Sequence, residues 1–417
     1  MQLKTILNYV ERHKGFVYGD AKLLKSGSRM AIEVPIRPRK NSRAICGGCR
    51  QRRAGYDRLP ERRFEFVPLW GIMVFFVYRL RRVNCPQCGV TAEAVPWSDG
   101  KSHLVLSYRW FLARWAKRLS WKETASIFQT SWDTVFRSVR YAVMWGIAHQ
   151  QLDGIEAIGI DEVQWQRGHH YLTLVYQIQA GMKRLLWVAP ERTEESLRGF
   201  LECLPDKTRL GIRYVCTDMW KPYMKVIVEM LSQSIHILDR FHIMSNMNKA
   251  IDEVRRSEAS RMKRDGYEPL LKHSRWCLLK RAENLTVKQA VKLKELLRYN
   301  LQSVRAHLQR EDFQRFWDYQ QPQAAGRFLD QWCRRAMLSK IEPMKKMARS
   351  LREHHSLLLN WFRAKGTVSS GTVEGFNNKV KLTMRKSYGF RSYEAVELAL
   401  YHNLGALPEP EFTHEFC

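Results

Sequence analysis

Residues 155–178 read IEAIGIDEVQWQRGHHYLTLVYQI and contain two predicted β-strands. An apolar run at 157–160 ends on Asp161 and Glu162, and after a polar turn the run at 171–178 is rich in β-branched and aromatic residues. A carboxylate at the centre of a buried strand is costly unless a positive group meets it. A divalent metal is one such group, which makes Asp161 a candidate ligand. The alternative for this stretch alone is an ordinary aspartate at a strand end, facing a turn.

The chain after this hairpin alternates between predicted strands and helices. The elements are a strand at 183–188, a helix at 193–204, a strand at 213–217, a helix that begins near Pro222 and ends at Met230, and a strand at 234–238. Three hairpin-like strands followed by helix, strand, helix and strand is the element order of the ribonuclease-H-like fold. In that fold the first and fourth strands are neighbours, so we expect Asp161 and Asp218 to lie close enough to bind one metal.

Residues 244–365 have a different composition, rich in Lys, Arg, Leu and Trp at helical spacing and poor in strand signals. They predict an all-α unit inserted into the α/β domain. From 366 a Ser- and Gly-rich loop leads into a predicted helix that carries Glu374. A lone glutamate there is usually only a favourable charge in the first helical turn. It becomes a candidate third ligand because Asp161 and Asp218 are already candidates.

Four of the nine cysteines form two C-x-x-C pairs, Cys46 with Cys49 and Cys85 with Cys88. Thiolates at this spacing on tight turns can share one Zn²⁺, and two such knuckles complete a tetrahedron. The sequence therefore predicts a structural zinc site in a ribbon-like domain; free thiols or a redox pair are the alternative. Many arginines lie in the same region, which favours a ribbon that contacts DNA.

Three helices are predicted between residues 108 and 144, at 108–119, 120–128 and 132–144. Ser120 and Glu123 have the spacing of a capping box, and Ser131 is a candidate N-cap of the third helix. Two helices joined by a short turn indicate a helix-turn-helix, whose last helix would enter the major groove of DNA; a plain three-helix bundle is the alternative. The candidate DNA-binding residues are Lys122, Trp132, Thr134, Arg137 and Arg140.

The 70 Lys and Arg against 41 Asp and Glu leave a net charge of +29, spread along all 417 residues. Such an excess implies a polyanionic partner, most simply nucleic acid. The amino terminus lacks a long apolar stretch, and the most apolar segment, at 64–78, is too short to span a bilayer. We therefore expect a soluble intracellular protein without a membrane partner. Residues 1–44 are basic, and their extended segment at 34–40 is expected to run along a surface or along DNA.

Four segments together resemble the catalytic signatures of bacterial DDE transposases of the insertion-sequence family ISL-three. They are GIDEVQWQRGHHYLTLVYQI at 159–178, VCTDMWKPY at 215–223, LDRFHI at 238–243 and SSGTVEGFNNKVKLTMRKSYGFRS at 369–392. The order of zinc knuckles, helix-turn-helix and catalytic segments is also similar, so the resemblance covers about residues 40–405. Each motif is weak alone, and their combination is specific.

The resemblance implies that Asp161 and Asp218 are the catalytic aspartates and Glu374 the catalytic glutamate, with Mg²⁺ or Mn²⁺ bound by all three. It implies supporting roles for Asp239 and His242. It further implies binding of terminal inverted repeats, DNA cleavage and transfer of the freed 3′-hydroxyl to target DNA. The partners are then double-stranded DNA at transposon ends and target, and a second copy of the chain, since two ends must meet. The location implied is the bacterial cytoplasm, in association with the nucleoid.

The predicted fold is a multidomain α/β protein with a zinc ribbon-like domain, a helix-turn-helix and a ribonuclease-H-like domain interrupted by an all-α insertion. The predicted divisions are a basic segment at 1–44, the zinc-binding domain at 45–100, the helix-turn-helix at 101–150, the catalytic domain at 151–243 and 366–417, and the insertion at 244–365. A nuclease that cuts without joining and a DNA-binding regulator derived from a transposase are the alternatives. The regulator would leave the three carboxylates without a purpose.

Overall fold

The computed structural model describes residues 2–26, 29–267, 270–364, 370–387 and 389–411. The chain divides into two compact units. The first unit comprises Met1–Gln151 and Thr383–Cys417, and the second comprises Leu152–Leu382. Within the described ranges, no helix combines the length and the apolar composition that crossing a bilayer requires.

The amino-terminal part of the first unit is a helix followed by a seven-stranded sheet. Its elements are α1 (Leu3–Val10), β1 (Phe16–Tyr18), β2 (Lys22–Ser26), β3 (Arg29–Pro38), β4 (Ala44–Ile45), β5 (Arg52–Leu69), β6 (Ile72–Cys85) and β7 (Gly89–Ala92). The strand order is β1-β3-β6-β5-β4, and β2 and β7 pair with β3 and β6 respectively. Phe64 of β5 and Phe76 of β6 share a buried core with Trp97.

Strand β3 corrects the expectation of a basic segment that runs along a surface. It pairs in parallel with β6, and Val34 and Ile36 are buried in the core of the sheet. The apolar residues lie in an extended chain whose side chains alternate between two faces, so one face joins the core although the segment is basic overall. The zinc knuckles therefore belong to a sheet that begins well before residue 45.

Three helices follow: α2 (Leu106–Arg118), α3 (Trp121–Ile127) and α4 (Trp132–His149). The predicted capping box is confirmed, because Ser120 and Glu123 bond each other's backbone N–H groups. The predicted N-cap is also confirmed, since Ser131 Oγ accepts a hydrogen bond from the Thr134 N–H at 3.0 Å. Helix α4 continues past the predicted end at 144, where Trp145 still packs against Trp110 of α2.

The second unit contains a five-stranded mixed sheet of order β10-β9-β8-β11-β12. Its elements are β8 (Ala157–Gln166), β9 (His170–Gln177), β10 (Arg184–Pro190), α5 (Glu194–Cys203), α6 (Asp206–Gly211), β11 (Tyr214–Thr217), α7 (Lys221–Met230) and β12 (Ile235–Leu238). Strands β8, β9 and β10 are antiparallel neighbours, whereas β8, β11 and β12 are parallel. The predicted adjacency of the first and fourth strands is confirmed.

Asp161 lies inside β8 and not at its end, which corrects the predicted strand boundary at residue 160. The ladder with β9 continues past Asp161, which pairs with Leu174, as far as the pair of Gln166 with His170. Polar residues continue the strand because β9 is long enough to pair with them. The acidic side chain is consequently held on a rigid, doubly paired strand.

Every regular element that the structure describes between Arg240 and Arg363 is helical, as the composition predicted. The α-helices are α8 (Arg240–Arg264), α9 (Arg275–Leu279), α10 (Val287–Leu296), α11 (Gln302–Gln314), α12 (Pro322–Leu338), α13 (Glu342–Glu353) and α14 (His355–Arg363). Met247, Phe313, Phe316, Trp332 and Leu351 belong to their common buried core.

The last two helices are α15 (Ser370–Lys386) and α16 (Tyr393–Leu404). The predicted Ser- and Gly-rich loop falls partly on 365–369, which lie outside the described residues. Gly159 of β8 lets α15 approach closely, because a Cβ atom at this position would lie 2.5 Å from Cγ2 of Val373. The glycine of the GIDE segment thus determines how near the Glu374 helix lies to the strand of Asp161.

Candidate active site

Asp161 is buried, with 4% of its surface exposed, and both of its carboxylate oxygens are engaged. Oδ1 accepts a hydrogen bond from the Glu162 N–H at 2.7 Å, and Oδ2 accepts one from the side-chain amide of Asn377. The imidazole Nε2 of His242 lies 3.4 Å from the same Oδ2. The carboxylate is therefore fixed in orientation by groups from β8, α15 and α8.

Asp218 follows directly after β11. In the parallel ladder Gly159 of β8 pairs with Cys216 of β11, so Asp161 and Asp218 each lie two residues beyond that pair on neighbouring strands. Oδ1 of Asp218 accepts a hydrogen bond from the Trp220 N–H at 3.0 Å, and Oδ2 lies 2.9 Å from a terminal nitrogen of Arg192. Burial raises the pKa of Asp218, while Arg192 and the Trp220 N–H oppose the rise.

Asp239 and His242 stand on the first turn of α8. Asp239 caps the helix by accepting a hydrogen bond from the Phe241 N–H at 2.8 Å, and burial raises its pKa to about 6. Burial by itself lowers the pKa of His242, but its hydrogen bond to Asp161 and the charges of Asp161, Asp239 and Asp218 raise it to about 9. His242 is therefore a cation at neutral pH, placed between two acidic side chains.

Glu374 and Asn377 occupy one face of α15, because they are three residues apart. Burial is the main cause of the raised pKa of Asp239, and the charges of Asp161 and, less strongly, Glu374 add to it. Asn377 carries the direct contact from this helix to Asp161, and its Oδ1 accepts a hydrogen bond from the Tyr176 hydroxyl at 3.0 Å. The structure thus brings Asp161, Asp218, Asp239 and His242 together and places the helix of Glu374 in contact with Asp161 through Asn377.

The donor set suits a hard divalent cation. Asp161, Asp218 and Glu374 offer carboxylate oxygens, which Mg²⁺ and Mn²⁺ prefer. Burial raises the pKa of Asp218, and a bound cation would favour its charged form. Among the described residues these three do not form a group whose ligand atoms all lie within 4.8 Å of one another. Two cationic side chains balance part of the acidic charge: Arg192 is ion-paired with Asp218, and His242 with Asp161.

Three residues of the site were not predicted: Glu162, Arg192 and Asn377. Glu162 and Asn377 lie in the acidic and Asn-rich motifs that were recognised, next to residues that were chosen. Arg192 follows the predicted third strand, and nothing in its neighbourhood distinguishes it from the other arginines of a basic chain. Its partners, Glu162 at 3.1 Å and Asp218 at 2.9 Å, meet it only in the folded protein.

The four predicted zinc ligands form a compact cluster. Their sulfur atoms all lie within 4.8 Å of one another, and the Sγ atoms of Cys49 and Cys85 are 3.6 Å apart. Burial opposes ionisation of Cys85, but the N–H groups of Gln87 and Cys88 and the guanidinium of Arg53 lower its pKa to about 6. Four thiols at this separation, with one favoured as thiolate, fit a tetrahedral Zn²⁺.

The five candidate DNA-binding residues lie on α3 and the outer face of α4. Arg137 is ion-paired with Asp133 at 2.9 Å, and Arg140 with Glu394 at 3.2 Å; both arginines are exposed. Trp132 is half exposed and stacks on Phe136, with ring centroids 5.2 Å apart. Lys122 is exposed, and Thr134 lies within hydrogen-bond distance of the N-cap Ser131.

The family model of DDE transposases of the ISL-three (ISL3) type matches residues 158–400, more than half of the chain. The chain belongs to this family. This transposase is 28% identical over 354 residues to the transposase for insertion sequence element IS1001 of Bordetella parapertussis. The aligned region covers 84% of this chain and 86% of the Bordetella protein. This transposase is 27% identical over 410 residues to the transposase for insertion sequence element IS1557 of Mycobacterium tuberculosis, covering 92% and 91%. The DDE family implies metal-dependent cutting of DNA and a ribonuclease-H-like fold, with which the sheet order of this transposase agrees.

Proposed function

We propose that this transposase binds the terminal inverted repeats of an insertion sequence, cuts the DNA there and joins the freed 3′-hydroxyls to target DNA. The main support is that Asp161 on β8 and Asp218 directly after β11 are two-residue extensions of one strand pair, and that α15, which carries Glu374, is bonded to Asp161 through Asn377. In this proposal the three carboxylates bind the divalent ion. Asn377 and His242 orient Asp161, and the Trp220 N–H orients Asp218.

Phosphoryl transfer depends on in-line alignment and on neutralising the phosphate charge. When bound, the divalent ion would supply that charge and lower the pKa of an attacking water. The protein's contribution is a rigid set of ligands. Asp161 is fixed on a strand paired on both sides, and Asp218 by a backbone N–H. His242 supports this set by holding Asp161 from the first turn of α8, and Asp239 lies on the other side of His242, 4.0 Å from its Nε2.

A basic cleft beside the cysteine cluster supports DNA binding by the amino-terminal sheet. It has a volume of about 830 Å³, and Glu93, the one acidic residue among the described residues that line it, is held by Arg81. The cationic residues that line it are Lys14, Arg39, Arg43, Arg50, Arg52 and Arg81. Arg50 and Arg52 follow the first knuckle, so a zinc ion held by the four cysteines would keep this wall of the cleft in place. We assign the cleft to the phosphate backbone of the DNA.

Helices α3 and α4 are proposed as a helix-turn-helix, with α4 in the major groove. Arg137 and Arg140 project from its exposed face with side chains 72% and 60% exposed, and their ion pairs to Asp133 and Glu394 are exposed as well. Such pairs are weak and can be exchanged for phosphates or base edges. Lys122, Trp132 and Thr134 border the same surface. The predicted divisions at 101–150, 151–243 and 244–365 are part of this proposal, and so is a homodimer that holds both DNA ends.

The test is a cleavage and strand-transfer assay on labelled DNA that carries the element's end, with Mg²⁺ or Mn²⁺. Wild type is compared with Asp218→Ala, and with Asp206→Asn as a control for an exposed aspartate of the same unit. Joined products that disappear only in Asp218→Ala support the transposase. Nicking without joining favours the nuclease alternative, and binding without cleavage in all three proteins favours the regulator.

A further inference from the structure

Arg192 occupies the loop between β10 and α5 and reaches across to the acidic cluster. Its two terminal nitrogens lie 3.1 Å from Glu162 and 2.9 Å from Asp218, so one guanidinium joins β8 to the end of β11. The guanidinium also lies over the indole of Trp220, 4.2 Å from the ring centroid. Three contacts from three elements fix this side chain beside one of the proposed metal ligands.

The bonding around Arg192 is incomplete. Its Nε atom and Oε2 of Glu162 are both buried and have no hydrogen-bond partner among the described residues. A guanidinium has five N–H donors, and a buried donor without an acceptor is destabilising. A planar cation with spare donors, clamped at an acidic site, indicates a missing anionic partner rich in oxygen.

The stacking on Trp220 favours recognition of a phosphate over a purely structural ion pair. The indole covers one face of the guanidinium, and 26% of the side chain is exposed, so its terminal N–H groups, of which each nitrogen carries two, can also be reached by an oxyanion. A structural ion pair needs only one carboxylate, whereas Arg192 lies between two. A cation bound by Asp218 would share the charge of that carboxylate and weaken the ion pair between Asp218 and Arg192. N–H donors of Arg192 would then be free beside the metal site, where the cut phosphate must lie.

We propose that Arg192 binds a non-bridging oxygen of the DNA phosphate that is cut, and that Asp218 and Glu162 hold its guanidinium at that position before DNA arrives. This inference rests on the proposed function, since it requires DNA cleavage at Asp161, Asp218 and Glu374. Trp220 keeps the guanidinium plane in a single orientation. Glu162, which is not one of the three proposed ligands, remains as the partner of Arg192 after Asp218 is occupied.

The experiment compares Arg192→Gln and Arg192→Lys with Arg198→Gln. Arg198 lies on α5 close in sequence, is ion-paired with Glu229 in the same unit and is not part of the site, which makes it a matched control. Three quantities are measured on full-length protein: single-turnover cleavage of labelled end DNA, Mn²⁺ affinity by calorimetry, and melting temperature without metal. Cleavage is repeated on DNA with a phosphorothioate at the cut phosphate, because sulfur is a poorer acceptor than oxygen.

We expect Arg192→Gln to slow cleavage about 100-fold or more, the usual effect of removing one preorganised stabiliser of charge. Arg192→Lys should recover part of the rate, and Mn²⁺ affinity and melting temperature should match those of Arg198→Gln. One phosphorothioate diastereomer should slow wild type and Arg198→Gln much more than Arg192→Gln.

Three results overturn the inference. The first is cleavage by Arg192→Gln as fast as by Arg198→Gln. The second is a loss of Mn²⁺ binding by Arg192→Gln in parallel with cleavage, which would make Arg192 only a support for Asp218. The third is a phosphorothioate that slows Arg192→Gln as much as it slows wild type. If wild type itself neither cuts nor joins DNA, the proposed function fails and the Arg192 assignment falls with it. Normal cleavage by wild type and Arg198→Gln therefore distinguishes a failure of the Arg192 assignment from a failure of the proposed function.

Discussion

Asn377 donates a side-chain hydrogen bond to Oδ2 of Asp161, although the two residues are 216 positions apart in the chain. The bond joins α15, which carries Glu374, to the central strand of the sheet. Asn377 is itself oriented by the hydroxyl of Tyr176 on β9. The position of the proposed third ligand relative to the first is therefore set by a chain of hydrogen bonds as well as by the packing of Val373 on Gly159.

Loss of the Asn377 amide should impair cleavage more than it impairs folding. We expect Asn377→Ala to reduce the cleavage rate about 10- to 100-fold, the usual cost of removing a partner that orients a metal ligand. Asn377→Asp should be worse, because it places a second carboxylate against Asp161. The exposed neighbour Asn378→Ala is the control, and equal rates for Asn377→Ala and Asn378→Ala would contradict the orienting role.

The cysteine cluster predicts one zinc per chain. Cys85→Ser should release the metal and weaken binding to end DNA, since four ligands are needed for a closed tetrahedral site. Metal content by mass spectrometry and DNA affinity by fluorescence anisotropy provide the measurements. Cys203→Ser is the matched control, because Cys203 is an exposed cysteine outside the cluster. Retention of zinc by Cys85→Ser would rule out the proposed ligand set.

The basic cleft predicts a change in the salt dependence of DNA binding. Each phosphate contact contributes about 0.9 to the slope of log affinity against log salt concentration. Arg43→Ala and Arg52→Ala should each lower the magnitude of this slope by about that amount, with the double variant close to the sum. Arg58→Ala serves as the control, since Arg58 is exposed on β5 but does not line the cleft. An unchanged slope in the double variant would place the DNA elsewhere.

A pH-dependent loss of stability is predicted at His402 of α16. Burial, together with the charges of Lys117 and Lys386, lowers the pKa of this histidine from 6.5 to about 3. The folded state therefore keeps His402 neutral, while the unfolded state takes up a proton below about pH 6.5. Stability is consequently lost as the pH falls from 6.5 towards 3.

Replacing this histidine by leucine isolates the effect. Between pH 7.5 and pH 5, wild type should lose about 2 kcal/mol relative to His402→Leu, from about 1.4 kcal/mol for each pH unit below the unfolded pKa. Denaturation at both pH values measures the difference. Comparing two proteins removes the opposing contribution of buried acids such as Glu11, whose pKa burial raises to about 7. A stability difference that does not change with pH would contradict the prediction.

Local features of the chain were sufficient for much of the fold. Ser120 and Glu123 identify the start of α3 because a capping box involves only neighbouring residues. The apolar run before Asp161, followed by further strands, helix, strand, helix and strand, indicated the ribonuclease-H-like fold, and the neighbouring first and fourth strands followed from that assignment. The spacing of Cys46, Cys49, Cys85 and Cys88 predicted the cluster, since the geometry of a knuckle is set by the few residues between its thiols.

The sequence by itself determined most of the elements and the thiol cluster, because each depends on residue type and short-range spacing, and its resemblance to a known family supplied the three candidate carboxylates. Only the tertiary structure decided that β3 joins the sheet and that Asp161 is held inside a strand. It also selected Arg192 and Asn377 among many similar side chains. These depend on strand register and on contacts between distant segments, which no local pattern contains. A guanidinium acquires its role only when folding places Glu162, Asp218 and Trp220 around it.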